Sequence, residues 1–422
     1  MTEQRIIVIG GGPAGMMAAI TAAEHGAQAE LWERNDCLGR KLAITGKGRC
    51  NITNDAPTGE LIKNLPGNGA FLYSAFSRFP AAATMDFFSG LGVALKTERG
   101  RRVFPAQDDA HEVVAALERR LLALNVQVHY RRRAAGLLCA GGELSGATDT
   151  RGEKTAARAV ILASGGMSYP ATGSTGDGYT LAEAAGHRIV SPRPALAPLE
   201  TQESWPAEVA GLSLKNVALT AVSNGKPLGR EFGEMLFTHF GVSGPIVLSL
   251  SRAVSALPQD GAGSTLVLDM KPALTTEQCD KRLQRDLQAG SRKQADNALR
   301  GLLPLALLPL LLRLADIPAT KPANQISRAE RLRLAELLKA LPLTVKGPRP
   351  LAEAIVTAGG VNVKEIDPRT MASKKLPGLY FAGELLDVDG YTGGYNLQAA
   401  WASGYVAGSS AARYAMSSDS GV

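Results

Sequence analysis

Three glycine-rich stretches hold the residues best suited to chemistry. The first, Gly10-Gly11-Gly12-Pro13-Ala14-Gly15, fits G-x-G-x-x-G between an apolar run, Arg5 to Ile9, and an Ala-rich stretch ending near His25. In a strand–turn–helix setting Gly10 permits the tight turn and Gly12 lets the backbone approach a pyrophosphate. Gly15 allows the helix to pack closely on the strand, and the first helical N–H groups face the phosphates. Glu33 follows Gly15 by 18 residues, at the end of the next apolar run, Ala29 to Trp32. A carboxylate there hydrogen-bonds an adenosine ribose and disfavours a 2′-phosphate. These residues predict a bound dinucleotide but do not choose between FAD and NAD.

The far end of the chain chooses. Leu379 to Ala382 is an apolar run ending in Gly383-Glu384, and Gly393-Gly394-Tyr395-Asn396 then opens the helical stretch Leu397 to Ala412. A third run, Ala159 to Ala163, ends in Ser164-Gly165-Gly166. An extended FAD needs a second carboxylate for its ribityl chain, and a second helix N-terminus beside the flavin favours negative charge on the reduced ring. A simple NAD dehydrogenase has no use for this return, so the cofactor expected is FAD. No second G-x-G-x-x-G follows a strand; Gly173, Gly176 and Gly178 come near it but sit in a Ser/Thr-rich loop. NADH or NADPH is therefore expected as a transient reductant without a domain of its own.

Two side chains are candidate proton donors. Cys50 lies between Arg49 and Asn51, where Lys47 and Arg49 would lower a thiol pKa; a small packing residue is the competing reading. His239, beside Thr238, is the second, with a buried structural histidine as its alternative. His25, His111, His129 and His187 read as incidental, and Tyr391 and Tyr395 as residues that line the flavin or donate a hydrogen bond. The cysteines, Cys37, Cys50, Cys139 and Cys279, form neither a metal clip nor a CxxC pair, and Cys37 and Cys50, 13 apart, argue against a dithiol relay. No metal is expected, and few cysteines suit a reducing, cytoplasmic setting.

These residues need an α/β scaffold to position them. The β-α-β pattern at the start, the Ala159 strand and the return after Pro350 give a Rossmann-type FAD-binding domain made of 1–191 and 350–422. Alternating runs such as Val217 to Val222 and Thr265 to Leu268 mark a β-rich insert over 192–274 and 341–349, and 275–340 reads as a helical insert. There are 46 glycines in 422 residues, above the typical ~7%, as many strand-to-helix turns require. The longest apolar run, Leu302 to Leu312, contains Pro304 and Pro309 and falls short of the ~20 residues of a membrane span, so it predicts a buried helix. No signal peptide is read at the start, and the last seven residues read as a frayed tail. Net charge is +7, yet Lys271 to Arg349 holds 15 Lys and Arg against 7 Asp and Glu, leaving the remainder near −1. Such an excess is either a solvated helix surface or a face for an anionic partner, nucleic acid or acidic membrane.

The chain resembles the YhiN/BaiN-type family of FAD-dependent flavoproteins along essentially its whole length. The resemblance rests on Gly39-Arg40-Lys41 with Thr45-Gly46-Lys47-Gly48-Arg49-Cys50-Asn51, on Gly165-Gly166 through Pro170, Thr172 and Gly173, and on Phe237 to Pro245. Thr357-Ala358-Gly359-Gly360-Val361 and the segment from Gly383-Glu384 to Asn396 also match. It implies a two-segment FAD domain with a β-barrel-like insert and a helical insert nested in it. Cofactor contacts are then expected from Gly10, Gly12, Pro13, Ala14, Gly15, Glu33, Arg34, Arg40, Lys41, Gly48, Arg49, Gly165, Gly166, Gly383, Glu384, Gly394, Tyr395 and Asn396. Related folds often end the last strand in Gly-Asp, where this chain has Gly383-Glu384.

The resemblance implies reduction of an activated C=C, either in a uridine of large-subunit ribosomal RNA, giving dihydrouridine, or in a steroid-like enone. The basic insert favours the RNA, with Arg282, Arg285, Arg292, Lys293, Arg328, Arg331 and Arg333 as RNA-facing candidates. Aromatic residues make up only 5% of the chain, which argues against a broad stacking platform and for phosphate contacts with one extruded base. A non-catalytic, redox-sensing flavin module is the remaining class.

Overall fold

A computed structural model describes residues 4–417 and divides them into two compact units, one up to Arg193 and from Leu351 onward, the other Pro194–Pro350. The first is an α/β unit. Its central elements are β1 (Arg5–Ile9), α1 (Pro13–Glu24), β2 (Gln28–Trp32), α2 (Arg40–Ile44), β3 (Gln127–His129), β4 (Ala159–Leu162), β5 (Leu379–Phe381) and α3 (Tyr395–Met416). The five strands make one parallel sheet in the order β5-β4-β1-β2-β3. Ile6, Ile7 and Val8 of β1 are fully buried, as are all four residues of β4; β-branched runs buried on both faces are typical of a parallel sheet. A strand from the far end of the chain thus joins the sheet built by its start.

Helix α3 brings the two chain ends together. A β-carbon on Gly404 would lie 2.4 Å from the Ala14 carbonyl oxygen, and one on Gly408 would lie 2.3 Å from that of Ala18. The two helices therefore meet backbone to backbone, which only residues without a side chain allow. The sequence pattern starts this helix at Leu397; in the structure it begins at Tyr395, capped by Gly394 in the left-handed region.

The second unit is a closed antiparallel barrel of six strands, in the order Leu199–Thr201, Gly241–Ser243, Lys226–Thr238, Ser213–Ser223, Thr265–Asp269 and Leu341–Pro348. The last strand pairs back with the first, so no edge is left open. Between its fifth and sixth strands the chain forms helices Thr276–Ala289, Ala295–Ala298, Leu308–Leu314 and Arg328–Lys339. The first and last start in capping boxes, Thr275 with Gln278 and Ser327 with Glu330. Barrel and helices share one apolar core.

The Leu302 to Leu312 run differs from its reading. Pro304 and Pro309 confine regular helix to Leu308–Leu314, where Pro309 occupies the first turn, and Leu305 is exposed. Among the described residues no helix is long and apolar enough to cross a membrane. The Ser- and Gly-rich end, expected to fray, lies from 418 on outside the described residues.

Candidate cofactor site

The glycine loop is fixed by its own backbone. Gly10 donates to the Trp32 carbonyl at 2.9 Å; Gly11 donates to Glu33 Oε2 at 2.8 Å, and Asn35 to Glu33 Oε1 at 2.7 Å. Glu33 is buried at the end of β2, so its carboxylate ties the loop to the next strand. Gly10 has φ +111°, and a β-carbon there would meet the Ala163 carbonyl oxygen at 2.5 Å; on Gly15 it would lie 1.8 Å from the Gly10 carbonyl oxygen. Fold packing alone therefore requires glycine at 10 and 15. Gly12 is different: its φ of −80° suits any residue, and a β-carbon there would meet nothing within 4 Å. That open space lies over the free N–H groups of α1, where a pyrophosphate would sit. At the end of β4 the buried hydroxyl of Ser164 lacks a protein hydrogen-bond partner and faces Gly178, where a β-carbon would lie 2.2 Å from it. The cradle fits a dinucleotide. Pro13 opens α1, where its missing N–H costs nothing, and Ala14 is a packing residue under Gly383.

A second carboxylate lies at the other end. Glu384 Oε2 accepts from Lys41 Nζ at 2.6 Å, and its Oε1 accepts from the Thr357 backbone at 2.8 Å and the Ser168 hydroxyl at 3.0 Å. Lys41 also donates to Ser168 Oγ at 2.6 Å, and the Met167 and Ser168 backbone N–H groups donate to Thr357 Oγ1. A β-carbon on Gly166 would collide with Thr357 Oγ1 at 2.5 Å, so the glycine admits the threonine. Sequence reasoning does not single out Ser168 or Thr357 as site residues, although Thr357 opens one of the matching motifs.

The N-terminus of α3 is pinned from below. Gly394 has φ +97°, and a β-carbon there would lie 2.4 Å from the Thr53 carbonyl. Asn54 Nδ2 donates to the Gly393 and Gly100 carbonyls at 2.9 and 3.0 Å. The Asn396 amide closes the preceding loop, accepting from Gly390 at 2.8 Å and donating to the Gly390 carbonyl at 2.9 Å. Its side chain is thus committed to the protein, leaving backbone groups for any ligand. Tyr395 is half-buried, which pushes its phenol pKa up, and Tyr391 is half-buried in the same loop.

The predicted cationic contacts are largely engaged by protein partners. Arg34 reaches Thr175 and Asp177, Arg40 holds Asp36 at 2.6 Å, and Arg49 holds Glu98 and Asp108. The Arg49 guanidinium also lies 4.1 Å over the Phe104 ring. Asp108, facing Lys96 and Arg49, is held below the usual carboxylate range. Gly48 has φ +83° with open space beside it, and Gly165 has φ +77° at the β4 turn.

Comparison with known proteins gives this geometry a family. The HI0933-like protein Rossmann domain matches residues 4–410. The chain belongs to this family of FAD-dependent oxidoreductases. It is 34% identical to a 3-dehydro-bile acid delta(4,6)-reductase of Clostridium scindens, over 97% of this chain and 99% of that one. It is 31% identical to a ribosomal RNA dihydrouridine synthase of Escherichia coli, over 94% and 96% of the two chains. A 3-ketosteroid-delta4-(5alpha)-dehydrogenase from Rhodococcus jostii shares the fold at TM-score 0.52 and 16% identity, with 96% of each chain covered.

For an HI0933-like flavoprotein the proton donor is the remaining question, and the surroundings of Cys50 run against the lowered thiol pKa expected of it. Cys50 is fully buried, and burial pushes its thiol up to about 12, against a small opposing pull from Thr45. Arg49, the neighbour expected to lower it, is turned to Glu98 and Asp108, and Lys47 points to solvent. The packing reading of Cys50 is the one its environment supports. His239, in contrast, is exposed and not the buried structural histidine of its alternative reading: it lies on the turn after strand Lys226–Thr238, its ring edge-on to Phe240 at 4.9 Å. In the α/β unit, burial and the nearby Asp389 raise the pKa of Asp387, which accepts from Asn68 at 3.0 Å. Among the described residues no group of His, Cys, Asp and Glu could hold a metal ion.

Proposed function

We propose that this chain is a FAD-dependent, NAD(P)H-driven reductase of a uridine in large-subunit ribosomal RNA, forming dihydrouridine. The observation favouring RNA is charge: Lys271 to Arg349 holds 15 cationic residues against 7 acidic ones while the rest of the chain is near neutral. Two relatives named ribosomal RNA dihydrouridine synthase support it. Bound FAD supplies two-electron hydride chemistry. In this proposal the open face at Gly12 takes the pyrophosphate, Glu33 the adenosine ribose, Glu384 the ribityl chain, and the α3 N-terminus favours a reduced, anionic ring.

With Cys50 buried, His239 is the proton donor retained. An exposed imidazole can be replaced in part by water, so His239→Asn is expected to slow product formation about tenfold, below the ~10²–10⁴ of an oriented acid. NADH oxidation should be unchanged; parent-like product formation would remove His239 from this role.

The experiment that tests the substrate is mass spectrometry of digested ribosomal RNA from a strain lacking this gene. A dihydrouridine should disappear and return with the wild-type gene. Unchanged dihydrouridine content would favour the second reading, a conjugated-enone reductase, for which the 34% identical bile-acid reductase speaks. A non-catalytic flavin sensor is excluded if NADH bleaches the flavin and turnover to an acceptor follows.

A further inference from the structure

We propose that the solvent face of helix Thr276–Ala289, continued by Arg292 and Lys293, is the surface that holds an RNA phosphate backbone; this rests on the RNA reading above. The helix buries Cys279, Leu283 and Leu287 on one side. Its opposite side presents Gln278, Lys281, Arg285 and Gln288, spaced three and four apart and therefore stacked in one stripe, and Arg292 follows in the exposed turn after the helix ends at Ala289. Four residues of helix advance ~6 Å, so donors recur along the stripe at intervals a nucleic-acid strand can follow. A shallow hollow runs over this face. Its walls are Leu274, three glutamines, Lys281, Arg282 and Arg285, with no carboxylate among them.

Ion pairing separates the basic residues of the insert into two sets. Arg282 is held by Asp286 at 2.8 Å, Arg331 by Asp280 at 2.6 Å, and Arg333 by Asp316 at 3.3 Å. A guanidinium so engaged keeps spare N–H donors, but its charge is offset by the carboxylate and it draws a phosphate less strongly. Among the described residues, Lys281, Arg285, Arg292 and Lys293 make no ion pair within 4 Å, and all four are exposed. The same pairings neutralise Asp280 and Asp286, which would otherwise repel a polyanion from this helix. Glu277, the acid left on it, lies one turn before Lys281, whose charge helps to lower its pKa, and accepts from the Thr275 hydroxyl at 2.7 Å. The seven arginines and lysines read from the sequence are therefore not equivalent, and Lys281, absent from that set, belongs with the free ones.

The test compares holoprotein carrying Lys281→Gln, Arg285→Gln and Arg292→Gln with a control carrying Arg119→Gln, Lys154→Gln and Lys226→Gln, three exposed cations elsewhere. The probe is protein-free ribosomal RNA, titrated from low to physiological salt. The stripe variant should bind at least about tenfold more weakly at physiological salt. Its log–log salt slope should fall by about 2–3, since each lost phosphate contact removes ~0.7–0.9. FAD content and NADH oxidation should match the parent, and the control should bind like the parent. If the parent binds and the stripe variant binds equally well with the same slope, this surface is overturned while the RNA reading stands. If the parent itself ignores RNA, both fall. Equal, stripe-dependent binding to phosphatidylglycerol vesicles but not to RNA would overturn the proposal in favour of a membrane.

Discussion

Gly12→Asp is expected to yield a folded protein that purifies without flavin and has lost at least ~10³-fold in NADH oxidation. The fold should tolerate the change: a β-carbon at residue 12 meets nothing within 4 Å, and the backbone there has an ordinary φ of −80°. The cofactor should not. A carboxylate at this position fills the space over the first N–H groups of α1 and sets a negative charge against a pyrophosphate, in the region where the helix terminus otherwise attracts anions. Losing ~4 kcal/mol of binding corresponds to ~10³-fold in affinity. Gly15→Ala supplies the contrast. Its β-carbon would lie 1.8 Å from the Gly10 carbonyl oxygen, so the α1–β1 packing itself must shift, costing about 1–3 kcal/mol of stability. Absorbance at 450 nm with thermal unfolding separates the two: flavin lost with stability kept for Gly12→Asp, stability lost for Gly15→Ala. A yellow Gly12→Asp protein would contradict the placement of the pyrophosphate.

The sequence was most legible where a residue's job depends on its immediate neighbours. Gly10, Gly15 and Glu33 lie within one β-α-β unit, so spacing alone predicts the turn, the close packing and a carboxylate at the end of the second strand, which the structure buries against Gly11. The return of the chain at Leu379 was readable because a short apolar strand ending in Gly-acid has few other uses. Legibility failed where the outcome depends on which way a side chain turns. Arg49 and Cys50 are adjacent, yet Cys50, at φ +57°, enters the core while Arg49 turns to Glu98 and Asp108, so charge proximity along the chain did not become proximity in space. The Lys41–Ser168–Thr357–Glu384 network joins residues up to 343 positions apart, and no local pattern announces it. One ion pair in the helical insert was hidden for a similar reason. Arg331 and Asp280 come together from different helices. A count of cations along the chain could not tell which were already neutralised.

The Lys41–Glu384 pair offers the second large effect, because it joins α2 to the turn after β5 at the expected ribityl end. Both side chains are about one-fifth exposed, so the pair is neither screened as a surface bridge nor fully desolvated. Lys41→Met removes the donor at 2.6 Å from both Glu384 Oε2 and Ser168 Oγ and leaves a largely buried carboxylate without its cation. The expected cost is about 1–3 kcal/mol, read as a fall in thermal stability and a roughly 10–100-fold weaker hold on FAD. The double variant Lys41→Met/Glu384→Gln resolves what the pair is for. Removing the charge along with its partner should restore most of the stability, since the introduced amide oxygen can still accept from the Thr357 N–H that now meets Glu384 at 2.8 Å. If Glu384 also takes a ribityl hydroxyl, FAD affinity should stay low in the double variant although the fold recovers. Recovery of both together would make the network a structural brace alone and move the second carboxylate of the cofactor site away from Glu384. The two readouts must therefore be measured on the same preparations: unfolding temperature for the brace, and FAD dissociation for the ligand.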